Sequence, residues 1–429
     1  MSKLNDSSTK NESQKINSMN LIIKNIIISL IWLISAHLSG QEVIQLQQAI
    51  KIAKVNNAKL RSDAGLVKYQ QALVNTAYNF APTQLNAELG QFNSSYFDTG
   101  FGISQTFSLP KVYQRRAAAN QQQAKTAEYY LKLSEVEIRQ QVDQIFMEYN
   151  YLTAKENLLK YQDSLYTRFV DKTNIRYQNG ETDVLEKTTA EQQKLNIFNQ
   201  LSMVGRIKES IILNLEWLLN DSKKYLPAAN GFEVLKYSIF YDSISILKHP
   251  VMQLKAQEIE TARAMTLAEK TILLPELTAG YRNVSIRGTG ADNVVYQGGD
   301  RFNSFQVGVG IPLFRKGIRA SIQSAQMMEE VKANMYEEKK SEISAQIRQK
   351  YILYTETLSQ LGQYEQVALL NARLIRSVSE QQFSNGQINY LEYVMLTNQA
   401  ITIESEYLGL KRNLNMYIID LHYLTTNYE

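Results

Sequence analysis

One long stretch of this chain occurs twice, and that repeat limits what the chain can fold into. Arg176-Tyr177-Gln178-Asn179-Gly180, running on through Val184-Leu185-Glu186, is answered by Gln382-Phe383-Ser384-Asn385-Gly386, running on through Tyr390-Leu391-Glu392. Gly180 and Gly386 are 206 residues apart (386 − 180), and so are Gly102 in Phe101-Gly102-Ile103 and Gly308 in Val307-Gly308-Val309 (308 − 102). Strand-like and helix-like parts recur in the same order over that distance, so one large unit has been duplicated. Duplicated units build pseudo-symmetric assemblies, and symmetric walls can enclose a pore.

The 429 residues could hold two or three ordinary domains. The repeat divides them instead into a first unit over 41–220, a linker over 221–247 and a second unit over 248–429. Ahead of these, a polar leader containing lysine precedes an apolar stretch from Leu21 to Leu38, which gives way to Ser39-Gly40-Gln41 without a stop-transfer charge cluster. That pattern predicts a signal peptide over 1–40, with cleavage after Gly40; a short membrane anchor is the alternative. The chain has no cysteine, which excludes disulfides, thiolate metal sites and a lipid on an N-terminal cysteine. The net charge is +4, and four lysines against two acids in the leader leave the rest near +2. That balance points to no nucleic acid.

Ile44 to Asn79 has helical spacing, and from Leu85 the period changes to two. Leu85, Ala87 and Leu89 alternate with Asn86, Glu88 and Gly90. Phe101, Ile103, Phe107 and Leu109 alternate with Gly102, Ser104, Thr106 and Ser108, with Gln105 the one exception. In the second unit Leu277, Ala279 and Tyr281, then Phe305, Val307, Val309 and Ile311, form the apolar set. Each unit therefore contains an amphipathic hairpin. Each hairpin feeds a proline-free helical segment, Lys111–Tyr177 and Gly317–Phe383. A helix of that size spans about 100 Å, against about 40–45 Å for a whole bilayer. Ile138, Val142, Ile145, Tyr149 and Leu152, then Ile343, Ile347, Tyr351 and Tyr354, step by threes and fours as a coiled-coil seam does. Each Asn-Gly pair (Asn179-Gly180, Asn385-Gly386) supplies a left-handed helix stop, and Thr182 and Asn389 stand where the next helix begins.

The strands are about as long as a tilted membrane strand, yet four are too few to close a barrel, whose practical minimum is about eight. An open sheet edge cannot sit in lipid, because its backbone groups would lack partners. If these strands span a membrane, copies must join: two copies give eight strands and three give twelve.

The order helix, hairpin, long helix, glycine turn, helix, twice over, resembles the TolC-like outer-membrane efflux protein family across nearly the whole chain after the leader. Its most specific pieces are Arg176-Tyr177-Gln178-Asn179-Gly180 with Leu185, and Gly308-Val309-Gly310-Ile311-Pro312-Leu313-Phe314. Phe107-Ser108-Leu109-Pro110 with Val112-Tyr113, and Gln162-Asp163-Ser164-Leu165-Tyr166, are most similar to the heavy-metal (CusC/CzcC-like) branch. The resemblance implies a mainly α fold with a membrane β-barrel: a homotrimer with a twelve-stranded barrel in the outer membrane, continuous with a helical tunnel through the periplasm. It implies a periplasmic adaptor (membrane fusion) protein docking at the turns of Asn179-Gly180 and Asn385-Gly386, an inner-membrane pump such as the RND type, and no cofactor. The function it implies is the exit duct of a tripartite pump, heavy-metal cations being one candidate cargo. A type I secretion duct and a pore-free periplasmic coiled-coil scaffold or adaptor are the alternatives.

The resemblance also places acidic gate residues just past each tip glycine, at Glu186 and Glu392, with Asp183 as a weaker candidate. Nine residues past the glycines, where some relatives have a second acid, stand Thr189 and Met395. A solvated helical glutamate is the plain alternative. Lys111, Arg115 and Arg116 open one long helix and Arg315, Lys316 and Arg319 the other, either as solvated turns or as contacts to lipid phosphates or the lumen where barrel meets tunnel. Phe101, Ile103, Phe107, Val307, Val309 and Ile311 are the lipid-facing set; Gly102, Ser104, Gly308 and Gly310 face the lumen. No catalytic grouping is present, and His249 and His422 have no metal-ligand partner at useful spacing. Met327-Met328 read as core fillers, and Gly288-Thr289-Gly290 as a surface loop.

Overall fold

The computed structural model describes residues 42–92, 95–229, 231–237 and 243–425, so the leader 1–40 lies outside the described residues. The first unit begins with β1 (Glu42–Ile44), α1 (Leu46–Asn56) and α2 (Ala58–Leu73), where the sequence predicts a single helix. The break is made by Asn57. Its side chain accepts from the Lys59 and Leu60 amides to start α2, and donates to the Leu218 carbonyl at 2.8 Å. Local capping and a long-range bond thus fix one residue at once.

Next come β2 (Gln84–Gly90), β3 (Asp98–Ser108), α3 (Pro110–Gln178) and α4 (Val184–Leu219). Pro110 starts α3 at a position where its missing N–H costs nothing, and the helix then runs unbroken for 69 residues. The linker carries β4 (Tyr225–Pro227), which pairs in parallel with β1 and so ties the linker to the start of the first unit. The second unit has α5 (Ser243–Lys248), α6 (Pro250–Glu269), β5 (Glu276–Ser285), β6 (Gly288–Thr289), β7 (Val295–Tyr296), β8 (Arg301–Gly310), α7 (Lys316–Gln363), α8 (Leu369–Ser384) and α9 (Tyr390–Thr425). The Gly288 loop is itself a small hairpin of β6 and β7. The second long helix is not uniform: a π-helical turn, Tyr364–Ala368, joins α7 to α8 just after Gly362. Reciprocal bonds hold it to α9, from the Tyr364 hydroxyl to Glu406 at 2.9 Å and from the Tyr407 hydroxyl to Glu365 at 2.8 Å.

The four long strands form one antiparallel sheet in the order β2-β3-β5-β8. Leu85, Ile103, Tyr281 and Phe305 lie in register across it, as do Phe107, Leu277 and Val309. The neighbouring rows are Asn86, Gly102, Arg282 and Ser304, and Thr106, Thr278 and Gly308. Between these rows one face is therefore apolar and the other polar, while at the end away from the helices Asn283, Asn303 and Arg301 join the first face and Val284 and Phe302 the second. Gln105, the polar residue among the apolar positions of β3 from Phe101 to Phe107, is satisfied locally: it donates to the Ala81 carbonyl at 2.6 Å and accepts from the Thr83 hydroxyl.

In the helical wall α2, which leads into β2, and α4 both pack on α3; α6 and α9 pack on the rest of α3 and in turn carry α7, which follows β8, and α8. The seams close as the spacing requires, with Ile138, Val142, Leu152, Ile343 and Ile347 buried, each such side chain contributing about 1.5–3 kcal/mol. Tyr351 departs from the expected seam and is 43% exposed, leaving Tyr354 to pack against Tyr237. Polar ties join the two units: Asp420 of α9 accepts from Gln140 and Gln144 of α3 and pairs with Lys350 of α7 at 2.7 Å.

His249 caps α6, accepting from the Val251 amide, and is 1% exposed. Burial holds its imidazole down, to about 4 from an ordinary 6.5. The unfolded chain then binds the proton more tightly, so about 3 kcal/mol of stability is present above pH 6.5 and lost as pH falls toward 4. His249→Asn keeps a capping side chain and removes the titration. Its unfolding midpoint is expected to fall less between pH 7 and pH 4.5 than that of the parent protein; equal falls would show that His249 does not carry the effect.

Candidate functional sites along the wall

The two tip turns are built alike. Gly180 and Gly386 have φ of +74° and +71°, and Glu181 and Gln387 donate back to the Arg176 and Gln382 carbonyls, each at 2.8 Å. The left-handed residue satisfies the last carbonyls of α3 and α8 and turns the chain into the next helix. The tips lie together. Phe169 of α3 packs 4.9 Å from Tyr390, Phe383 stacks on Tyr393 at 4.8 Å, and the Lys172 ammonium sits over both Phe383 and Tyr390.

The acidic candidates beside them differ in their surroundings. α4 is capped by Asp183, not Thr182: the Asp183 carboxylate accepts from the Glu186 amide at 3.0 Å. Thr182 instead donates its hydroxyl to the Glu186 carboxylate. Glu186 also pairs with Arg176 at 3.1 Å, and its side chain is only 15% exposed. In the second unit Asn389 and Glu392 form a capping box, each accepting from the other's amide at 2.9 Å. The position of Arg176 is there occupied by Gln382. Glu392 accordingly has no cationic partner among the described residues, whereas Glu186 does. The quoted motif contains Arg176, and the Arg-to-Gln difference between the two copies was the available signal for this asymmetry.

At the other end of the helices, Lys111, Arg115 and Arg116 lie at the head of α3 and Arg315, Lys316 and Arg319 at the head of α7, all on the sheet side of the wall. Among the described residues none of the six is ion-paired; the Arg315 guanidinium donates to the Pro312 carbonyl. Arg116 and Glu276 line a cavity of about 390 Å³ where strands give way to helices. Of the apolar sheet set, Phe305 is 86% and Val307 83% exposed in the single chain. Phe101, Ile103, Phe107, Val309 and Ile311 are exposed as well. Met327 and Met328 are also exposed, so within one chain they fill no core. Among the described residues no grouping of three or more His, Asp or Glu could hold a metal ion, and no helix is long and apolar enough to cross a membrane.

No protein-family model matches the chain, and no curated protein matches it in sequence. Solved structures do. CusC, described with its transmembrane channel formation, is 17% identical with a TM-score of 0.73 over 89% of this chain and 92% of that one. The CmeC outer-membrane channel of Campylobacter jejuni is 15% identical with a TM-score of 0.71, over 89% of this chain and 85% of that one. The MtrE outer-membrane channel of Neisseria gonorrhoeae, in its open state, is 15% identical with a TM-score of 0.67, over 89% and 88%. The fold is that of the TolC-like outer-membrane channels: a long-helix wall beneath a four-stranded sheet.

The tip glycines give a direct test of the turn. An added Cβ at either position meets nothing within 4 Å, so a substitution costs only the strained backbone, about 1–2 kcal/mol per residue. Gly180→Val with Gly386→Val is expected to raise amide exchange in both turns while leaving protection in the α3 core unchanged. Unchanged exchange at the turns would show that the glycines are not needed there.

Proposed function

We propose that the chain is the outer-membrane exit duct of a tripartite efflux pump, acting as a homotrimer. The observation that carries this reading is the sheet: one apolar face, one polar face, and two edges, β2 and β8, without strand partners among the described residues. In lipid such edges must be paired. Head-to-tail joining of β2 to the β8 edge of another copy closes a ring, and three copies give twelve strands. The helices support the same closure. Exposed apolar side chains lie along both rims of the wall: Phe198, Leu213 and Trp217 on α4, Ile352 on α7, and Leu370 and Leu374 on α8. A pore-free scaffold would leave the apolar sheet face without a partner.

The duct needs no chemistry of its own; its work is to enclose a path. The tip turns at Asn179-Gly180 and Asn385-Gly386 are the docking points for a periplasmic adaptor, which links the duct to an inner-membrane pump, the RND type being our choice. The tip acids form the gate. Because Glu186 is offset by Arg176, Glu392 and Asp183, which have no ion-pair partner among the described residues, supply the net negative charge there, with heavy-metal cations as the cargo this favours. The basic heads of α3 and α7 then lie at the barrel–tunnel junction, facing lipid phosphates or the lumen.

Two measurements test this. Cysteines placed singly at Phe101, Val307 and Val309 are expected to resist a water-soluble thiol reagent in membranes, while those at Ser104, Gly308 and Gly310 label; equal labelling of both sets contradicts the membrane assignment. In planar bilayers Glu392→Gln is expected to reduce cation preference more than Glu186→Gln. The reverse order would remove Glu392 from the gate.

A further inference from the structure

On the polar face of the sheet, a charge pair spans three strands. Arg282 of β5 is in register with Gly102 of β3, which in turn is in register with Asn86 of β2. The next polar-face row across these strands holds Val284, Gly100 and Glu88. The Arg282 guanidinium reaches diagonally over β3 and donates to the Glu88 carboxylate on β2. Both β3 positions beneath it are glycine, so no side chain stands between the partners. An added Cβ at Gly100 would meet the Glu88 Cβ at 3.5 Å and its carboxylate at 3.7 Å, and would crowd the Val284 side chain at 3.1 Å. At Gly102 it would lie 3.7 Å from the Tyr281 carbonyl, standing up from the floor of the same trench. The trench holds about 280 Å³ and is walled by Asn86, Ser104 and Gln306 besides the pair. Gly102, one of the residues that reveals the repeat, thus has a use unrelated to backbone conformation.

From this geometry we infer that Glu88 and Arg282 form a charge-cancelling collar in the barrel lumen, holding that section of the duct electrically neutral toward passing ions. The inference rests on the duct reading, because only in a closed barrel does the polar face become a lumen. There a trimer sets three Arg282–Glu88 pairs around one axis. Joined opposite charges cancel beyond their own separation, whereas a lone charge acts out to the Debye length, about 10 Å at 0.1 M salt and about 30 Å at 0.01 M. Two of the charged residues on the polar sheet face are thereby removed from the field an ion meets at that level, which leaves Glu276 at the helix end of the sheet and the basic heads of α3 and α7 as the charges beside the path. Removing one partner uncovers three like charges at once.

The test is the cation-to-anion permeability ratio of the full chain in planar bilayers under a salt gradient. Arg282→Gln is expected to raise that ratio, and Glu88→Gln to lower it, each by roughly twofold or more at low salt and less at high salt. The charge-swapped variant with Glu88→Arg and Arg282→Glu keeps a pair and is expected to behave as the parent does. Single variants that conduct normally with an unchanged ratio, or that shift it in the same direction, overturn the collar. A parent protein that inserts as a trimer yet conducts no ions overturns the duct reading, and the collar falls with it.

Discussion

The backbone hydrogen bonds left open at the two edges of the sheet are what the rest of the structure depends on. Along β2 and β8 one side of each ladder has no strand partner among the described residues, and an apolar face beside it makes water a poor substitute. Burying an unpaired backbone polar group costs about 1–3 kcal/mol, so a whole edge outweighs the stability of an ordinary domain. A second copy of the same chain offers what is missing, because the free edges are different strands on opposite sides of one sheet. That is a heterologous contact, which either closes into a ring or runs on without end.

The helices make the same statement in side chains. The helices follow a like order, α2 leading into β2 and packing with α4 on α3, and α7 following β8 and packing with α8 around α9 and α6. The interior seams of one chain are filled by residues such as Val142, Phe169, Ile347 and Ile418. Several of the large apolar side chains left exposed, among them Trp217 on α4 and Leu374 on α8, lie on the outer helices of the wall. Sheet and wall are therefore unfinished along the same two rims, and one joining step would complete both. The polar face of the sheet carries Arg282 against Glu88 as a cross-strand pair, and the first tip carries Glu186 against Arg176, whereas Asp183 and Glu392 have no ion-pair partner among the described residues.

Much of this was legible in the sequence because the signals are periodic. Period-two alternation from Leu85 to Gly90 and from Phe305 to Gly310 reveals strands and both their faces, and in-register pairing follows once the faces must match. The tip glycines were legible because a left-handed helix stop favours glycine. What was not legible depends on single side chains choosing among several partners. Asn57 breaks the first helix because Leu218, 161 positions away, accepts its amide. Asp183 outcompetes Thr182 as a cap because the Thr182 hydroxyl finds Glu186. The π-helical turn is held by tyrosines pairing with glutamates on α9, which no local pattern announces. Tyr351 and the Met327-Met328 pair read as core by spacing alone, yet they lie on faces that one chain leaves open.

Closure of the ring is the central claim, and the absence of cysteine from the sequence makes it directly measurable. A cysteine at Leu85 on β2 and another at Val307 on β8, both on the apolar face, can be joined between copies by a short bifunctional thiol reagent in native membranes. Head-to-tail closure by three copies is expected to give a denaturing-gel ladder of one, two and three chains that stops at three, with each single-cysteine variant giving no ladder. A ladder that continues past three, or no product from the paired variant, would contradict it.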